Sequence, residues 1–405
     1  MDWQIPEDAV PSAIITEADQ RAVLGKPPAT GAWREGDPVA DRRFVSVGTM
    51  QLESGATLPG VRIAYETFGE LSPARDNAVL VLHALTGDPH LAGPAGPGQP
   101  TGGWWSGIVG PGLALDTDRW FVVAPNVLGG CQGSTGPASL AADLREWGPR
   151  FPHVTIRDQV QAQRLFTDAI GIDRWAAVIG GSMAGMHALE WGVMHPERLE
   201  RLAILAAPPS ASADQIALNS VQLEAIRMDP RYRSGWYYGA ADGDGPHAGL
   251  ALARRMALLN YRSPSELNAR FSRSWQSTLD PLGSGGRFAV ESYLDFHGNK
   301  FTRRFDANSY IRLVQAMSSH DIGRGRGGVE AALSRLDMPT LVLGIDSDRL
   351  FPVADQRVIA RHAPGALDGD EPVILESEYG HDGFLIEDEG VGSALRRLLG
   401  APVRS

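Results

Sequence analysis

The chain has 405 residues, 43% of them hydrophobic and 21% charged, with a formal net charge of -11. That length is ample for a large buried core, and the negative excess argues against nucleic acid or an anionic membrane as the main partner. Cys131, the one cysteine, excludes an intrachain disulfide framework and suits a reducing cytoplasm, and no apolar run approaches the ~18–20 residues of a membrane span.

Residues 1–42 are polar, Pro-rich and without periodicity, which predicts an extended or poorly ordered arm. Its start, Met1-Asp2-Trp3-Gln4-Ile5-Pro6-Glu7-Asp8, has no basic segment followed by an apolar one, so no signal peptide is expected. Phe44-Val45-Ser46-Val47 and Val61-Arg62-Ile63-Ala64-Tyr65 alternate as half-buried strands do. Ala78-Val79-Leu80-Val81-Leu82 is continuously apolar, the pattern of a strand buried on both faces. It ends at His83, which opens His83-Ala84-Leu85-Thr86-Gly87. Trp120 to Ala124 repeats the buried pattern. Cys131, within Gly129-Gly130-Cys131-Gln132-Gly133, has no neighbour in sequence to activate it and reads as a packed thiol.

Val160 to Ala169 has helical spacing, and Trp175-Ala176-Ala177-Val178-Ile179 then reads as a third buried strand. Gly180-Gly181-Ser182-Met183-Ala184 follows, with Met183, Met186, Leu189 and Met194 behind it at roughly helical spacing. A serine at the apex of a strand-to-helix turn is the nucleophile elbow of the α/β-hydrolase fold. Ala184 stands where that pattern has glycine, and Gly185 follows. Leu202 to Leu205 is a fourth buried strand. From 210 to 333 the apolar spacing turns helical, as in Ile216 to Ile226 and Leu250 to Tyr261, and no strong strand appears. This predicts a helical cap (210–333) inserted into a mostly parallel α/β core (43–209 and 334–405). Gly323-Arg324-Gly325-Arg326-Gly327-Gly328 contains G-x-G-x-x-G, but no buried strand leads into it, so it reads as a loop and not as a dinucleotide site. Thr340 to Gly344 and Pro372 to Leu375 return to the buried-strand pattern, and Val391 to Leu399 closes the chain as a helix.

A serine that transfers an acyl group needs a base for its proton and an acid to orient that base. In this fold the order is Ser, then Asp or Glu, then His, each on a loop after a strand. Asp346 and Asp348 follow one late strand and His381 follows the next, so Ser182, Asp348 and His381 form the expected set, with Asp346 as the rival acid. The backbone N–H groups of Leu85 and Met183 are the expected oxyanion donors. His320 lies in the cap and reads as structural. No His, Cys or Glu cluster has the spacing of a zinc site, and no metal is expected.

From about residue 44 to 400 the chain resembles the homoserine O-acetyltransferases of the α/β-hydrolase type. The resemblance is carried by His83 to Gly87, Asn126-Val127-Leu128-Gly129-Gly130-Cys131 and Thr155-Ile156-Arg157-Asp158. It continues through Gly180 to Met183, Ser347-Asp348-Arg349-Leu350-Phe351 and Gly380-His381-Asp382. It implies Ser182 as nucleophile, His381 as base and Asp348, in preference to Asp346, as the orienting acid. It also implies that Arg254, in Leu252-Ala253-Arg254, and Asp382 hold the amino-acid substrate. The implied reaction is ping-pong transfer of acetyl from acetyl-CoA, a co-substrate, to the side-chain hydroxyl of L-homoserine. No bound cofactor is required. The product, O-acetyl-L-homoserine, would serve methionine biosynthesis, in a cytoplasmic homodimer. Ala184 and Gly383 depart from the family's usual glycine and alanine. A succinyl donor, a serine acceptor and a plain esterase are the alternatives.

Overall fold

The computed structural model describes residues 21–402 apart from 278 and 284. An eight-stranded sheet organises it, in the order β1-β2-β6-β3-β7-β8-β9-β10. The strands are β1 (Arg43–Gln51), β2 (Thr57–Phe68), β3 (Ala78–Leu82), β6 (Phe121–Pro125), β7 (Ala177–Gly181), β8 (Leu202–Leu205), β9 (Thr340–Ile345) and β10 (Val373–Leu375). The two-residue strands β4 (Val109–Gly110) and β5 (Leu115–Asp116) pair separately. β1, β2 and β6 run antiparallel to one another in turn, and every pairing from β6 through β10 is parallel.

The continuous apolar runs behave as strands covered on both faces. In β3, Leu80 and Leu82 join a buried cluster with Val178, Leu202 and Val342. Val79 and Val81 point the other way, into a cluster with Ile179, Leu205 and Leu343. The first face is closed by the helices Ile156–Ala169 and Met183–Met194, through Phe166, Leu189 and Trp191. The second is closed by Asp388–Gly400, through Val391, Leu395 and Leu398.

Two expected elements differ. The helix expected from Val160 begins at Ile156, because Thr155 and Asp158 form a reciprocal cap in which each side chain accepts from the other's backbone N–H. The last strand is not fully buried. β10 is the sheet edge, paired only with β9, and Ile374 is exposed.

Between β8 and β9 lie the helices Ala213–Arg227, His247–Tyr261, Pro264–Phe271, Ala289–Phe301, Ala307–Ser318 and Val329–Leu333. Ser210, at the entry to this insertion, bridges to Asp321, ahead of its last helix. A third cluster joins it to the sheet, with Tyr310, Phe301 and Leu313 packed together with Leu85, Met183, Met186 and Phe351. Val329–Leu333 lies outside that cluster, with Ala332 and Leu333 packed beneath the sheet.

Of the expected N-terminal arm, residues 1–20 lie outside the described residues. Further along, Thr30 Oγ1 donates to Asp306 Oδ1 at 2.8 Å and Trp33 N to Cys131 O at 2.9 Å, and Thr30, Ala32 and Arg42 are buried. Among the described residues no helix is long and apolar enough to cross a membrane.

Candidate active site

β7 ends in Gly180 and Gly181, and the helix Met183–Met194 begins one residue after them. Ser182 is forced between the two at φ 61°, ψ -127°, a conformation unfavourable for a side-chain-bearing residue. The glycines make that turn possible by close approach. A Cβ on Gly180 would sit 2.0 Å from the Ala184 carbonyl oxygen, and one on Gly185 would sit 2.4 Å from Ala207 Cβ. Ala184 itself packs into the core, fully buried. The tight contact falls on Gly185, one residue after the usual glycine, which is why the methyl at 184 is accommodated.

Ser182 Oγ lies 2.8 Å from His381 Nε2, and His381 Nδ1 lies 2.7 Å from Asp348 Oδ2. The other oxygen of Asp348 accepts from the N–H groups of Leu350 and Phe351, at 2.8 and 2.9 Å. With Asp348 accepting, Nδ1 carries the proton and Nε2 is left to accept from the serine. Asp346 is turned away, its Oδ1 accepting from Ser377 N at 3.0 Å, where it ties the loops after β9 and β10 together. The rings of Phe351, Phe384 and Tyr261 surround His381 at 5.0, 5.5 and 5.8 Å. Burial disfavours the charged imidazole, but the charge and hydrogen bond of Asp348 outweigh it, so the His381 pKa lies above its ordinary value.

The loop after β3 lies opposite. His83 Nε2 accepts from Val127 N at 3.0 Å, which assigns its proton to Nδ1, where it donates to Ala84 O at 2.8 Å. Burial pushes the His83 pKa down, in keeping with this neutral form. The imidazole thus clamps the turn leading into Leu85. Among the described residues, neither the Leu85 nor the Met183 N–H donates to a protein acceptor.

Ser182, His381, Leu85, Arg254 and Asp382 line one cavity of ≈ 170 Å³. Arg254, from the helix His247–Tyr261, donates to Thr86 Oγ1 at 3.3 Å and lies over the rings of Phe301 and Tyr261. Burial raises the Asp382 carboxyl, against the opposing charges of Arg254, His381 and Arg262. Larger depressions of ≈ 340 and ≈ 450 Å³ lie around Trp33 and Arg34 and contain none of these residues.

Sequence reasoning missed several residues of the cavity wall, Tyr261, Arg304 and Trp104 among them. Tyr261 lines the cavity, and burial pushes its hydroxyl up to about 12. Arg304 donates to the Thr86 carbonyl at 2.8 Å, and Trp104 also lines the cavity. Nothing local marks them, since each comes from a segment distant in sequence from Ser182. His320 is buried against Glu190, at 4.0 Å, and burial pushes it down to about 3. Arg326 of the glycine-rich loop pairs with the same Glu190 at 2.7 Å, so that loop anchors the helix behind Ser182. Cys131 is buried, and burial pushes its thiol up, away from the reactive thiolate. Among the described residues no group of three or more His, Cys, Asp or Glu side chains could hold a metal ion.

Residues 77–388 match the family model of the alpha/beta hydrolase fold. The chain is 74% identical over 388 residues to the homoserine O-acetyltransferase of Clavibacter michiganensis subsp. michiganensis (strain NCPPB 382), covering 96% of this chain and all of that protein. A crystal structure of homoserine O-acetyltransferase from Bacillus anthracis superimposes with a TM-score of 0.78 at 26% identity, covering 90% of this chain and 98% of that one. A crystal structure of esterase E22 superimposes with a TM-score of 0.79, also at 26% identity, over 88% of this chain and 99% of that one. The chain belongs to the homoserine O-acetyltransferase family of the α/β-hydrolase fold.

Proposed function

We propose that this enzyme moves an acetyl group from acetyl-CoA to the side-chain hydroxyl of L-homoserine by a ping-pong route through acetyl-Ser182. The observation that carries this reading is the Ser182–His381–Asp348 hydrogen-bonded chain in a cavity whose walls also hold two arginines, Arg254 and Arg304, and one carboxylate, Asp382. His381 Nε2 takes the Ser182 proton as Oγ attacks the thioester carbonyl. The oxyanion is stabilised by the Leu85 and Met183 N–H groups, both without a protein acceptor among the described residues. The C–S bond then breaks, and the imidazolium returns its proton to the departing thiolate. In the second half His381 takes the proton of the homoserine hydroxyl, that oxygen attacks the acetyl carbonyl, and Ser182 Oγ leaves with the proton. Asp348 keeps the ring in the required tautomer throughout.

Arg254 suits the acceptor's carboxylate and Asp382 its ammonium, which would bring the hydroxyl to the acyl-enzyme. An esterase needs no such pair of opposite charges, because its acceptor is water. The reading requires no metal or prosthetic group and places the enzyme in methionine biosynthesis, in the cytoplasm where acetyl-CoA is available. Exposed Ile216, Val221, Leu252 and Leu259 on the first two long cap helices favour a homodimer through the cap, checked by light scattering over a range of concentrations.

Initial rates of CoA release test the reaction. Acetyl-CoA with L-homoserine should give parallel double-reciprocal lines and should outrun succinyl-CoA, L-serine and water in their respective places. Equal release without any acceptor would make the enzyme a hydrolase.

A further inference from the structure

The helix carrying Arg254 ends at Tyr261, and the next residue, Arg262, reaches back to the loop that carries His381. Its Nη1 lies 3.5 Å from Asp382 Oδ2. Its remaining nitrogens grip Glu266 at two points, Nη2 to Oε1 at 2.8 Å and Nε to Oε2 at 3.3 Å. The Arg262 and Glu266 side chains are only 10% and 6% exposed, whereas Asp382 is 21% exposed and lines the cavity. The backbone fixes this geometry. Gly380 has φ +67°, and a Cβ there would come within 3.0 Å of Tyr261 O, Ser263 N and Arg262 C. Ser263 Oγ also donates to the Glu378 carbonyl, so the cap segment and the histidine loop are locked together.

Burying two charges beside a site meant for a cation needs a reason. A carboxylate alone in the cavity wall is pushed towards its neutral form, which would not attract an ammonium. The charges of Arg254 and His381 oppose that, and an unneutralised Arg262 at Asp382 would add a further charge that repels the incoming cation. Glu266 takes up the arginine's charge and its best hydrogen bonds. Arg262 is left with a single long contact to one oxygen of Asp382, and the other oxygen is free of it.

We propose that Arg262 and Glu266 are a positioning pair for the acceptor site, in which Arg262, neutralised by Glu266, holds one oxygen of Asp382 so that the other receives the α-ammonium of the amino-acid acceptor. The proposal rests on the reading of Asp382 as the ammonium partner. Arg262 has no hydrogen bond to Ser182 or His381, so its main effect is expected on acceptor binding.

The test compares wild type, Arg262→Gln and the double variant Arg262→Gln/Glu266→Gln. The double variant removes the buried Arg262–Glu266 ion pair whole, and its fold is checked by circular dichroism. Three quantities are read: CoA release without acceptor, KM for L-homoserine, and KM for γ-hydroxybutyrate, which lacks the ammonium. The pair predicts unchanged CoA release and a homoserine KM raised about tenfold in both variants, the value of one charge-assisted hydrogen bond. The KM for γ-hydroxybutyrate should not move. A folded double variant with the wild-type homoserine KM, or with both KM values raised equally, would overturn the proposal. A wild-type enzyme indifferent to homoserine would overturn the acceptor reading itself, and the proposal with it.

Discussion

Arg254 donates to the hydroxyl of Thr86 across 3.3 Å, joining a cap helix to the residue that follows Leu85. The residue assigned to the acceptor's carboxylate therefore touches the loop assigned to the oxyanion. Replacing it by alanine should raise the homoserine KM about tenfold to a hundredfold, the range of charge-assisted hydrogen bonds, while acetylation by acetyl-CoA persists. Steady-state KM, together with the CoA burst in the absence of acceptor, checks this. An unchanged KM would refute the role.

The two aspartates after β9 should separate cleanly. Asp348→Asn keeps the shape but removes the acceptor that fixes the His381 tautomer, and both half-reactions should slow by roughly 10⁴-fold, as in other Ser-His-Asp enzymes. Asp346→Asn disturbs only the contact to Ser377 N and should leave kcat near wild type. The assignment is reversed if Asp346→Asn is the more damaging of the two.

The acid side of the pH profile follows from the same pair. Only neutral His381 accepts a proton, and Asp348 holds its pKa above the ordinary ~6.5. kcat/KM for acetyl-CoA should therefore rise with pH through an apparent pKa above ~6.5. The stability consequence has the opposite sign. A raised folded-state pKa favours folding below ~6.5, and that contribution disappears as pH rises through the folded value. Parallel pH–rate and pH–melting curves check both directions. An acid limb centred below ~6.5 would contradict the geometry.

The elbow makes a stability prediction. Gly185→Ala places a methyl against Ala207 Cβ and should cost about 1–3 kcal/mol. Ala184→Gly relieves nothing; it adds a helical glycine and removes a buried methyl, together about 1–2 kcal/mol. Thermal melts decide, and a Gly185→Ala variant as stable as the wild type would show that the turn is not packed as described.

Much of this was legible in the chain. A continuous apolar run such as Ala78–Leu82 has few options besides a strand covered on both sides, and the order serine, aspartate, histidine survives in the linear sequence. The choice of Asp348 over Asp346 did not follow from the residues alone. Both carboxylates follow the same strand, and only the backbone turn decides which faces His381. The helix start at Ile156 was missed because a reciprocal cap is a pair of polar residues, while the apolar spacing begins later. The contacts of Arg254 with Thr86 and of Arg262 with Asp382 join residues 168 and 120 positions apart. Periodicity reports the face a residue occupies, not the distant segment that will meet it.

The most direct measurement mixes the enzyme with acetyl-CoA alone and weighs the intact protein, then adds L-homoserine and follows the loss of the added mass. The account predicts one acetyl group per chain, absent in Ser182→Ala and discharged by homoserine far faster than by water. A chain that never gains the acetyl group, or loses it at a rate indifferent to homoserine, would contradict a Ser182 acyl-enzyme that serves an amino-acid acceptor.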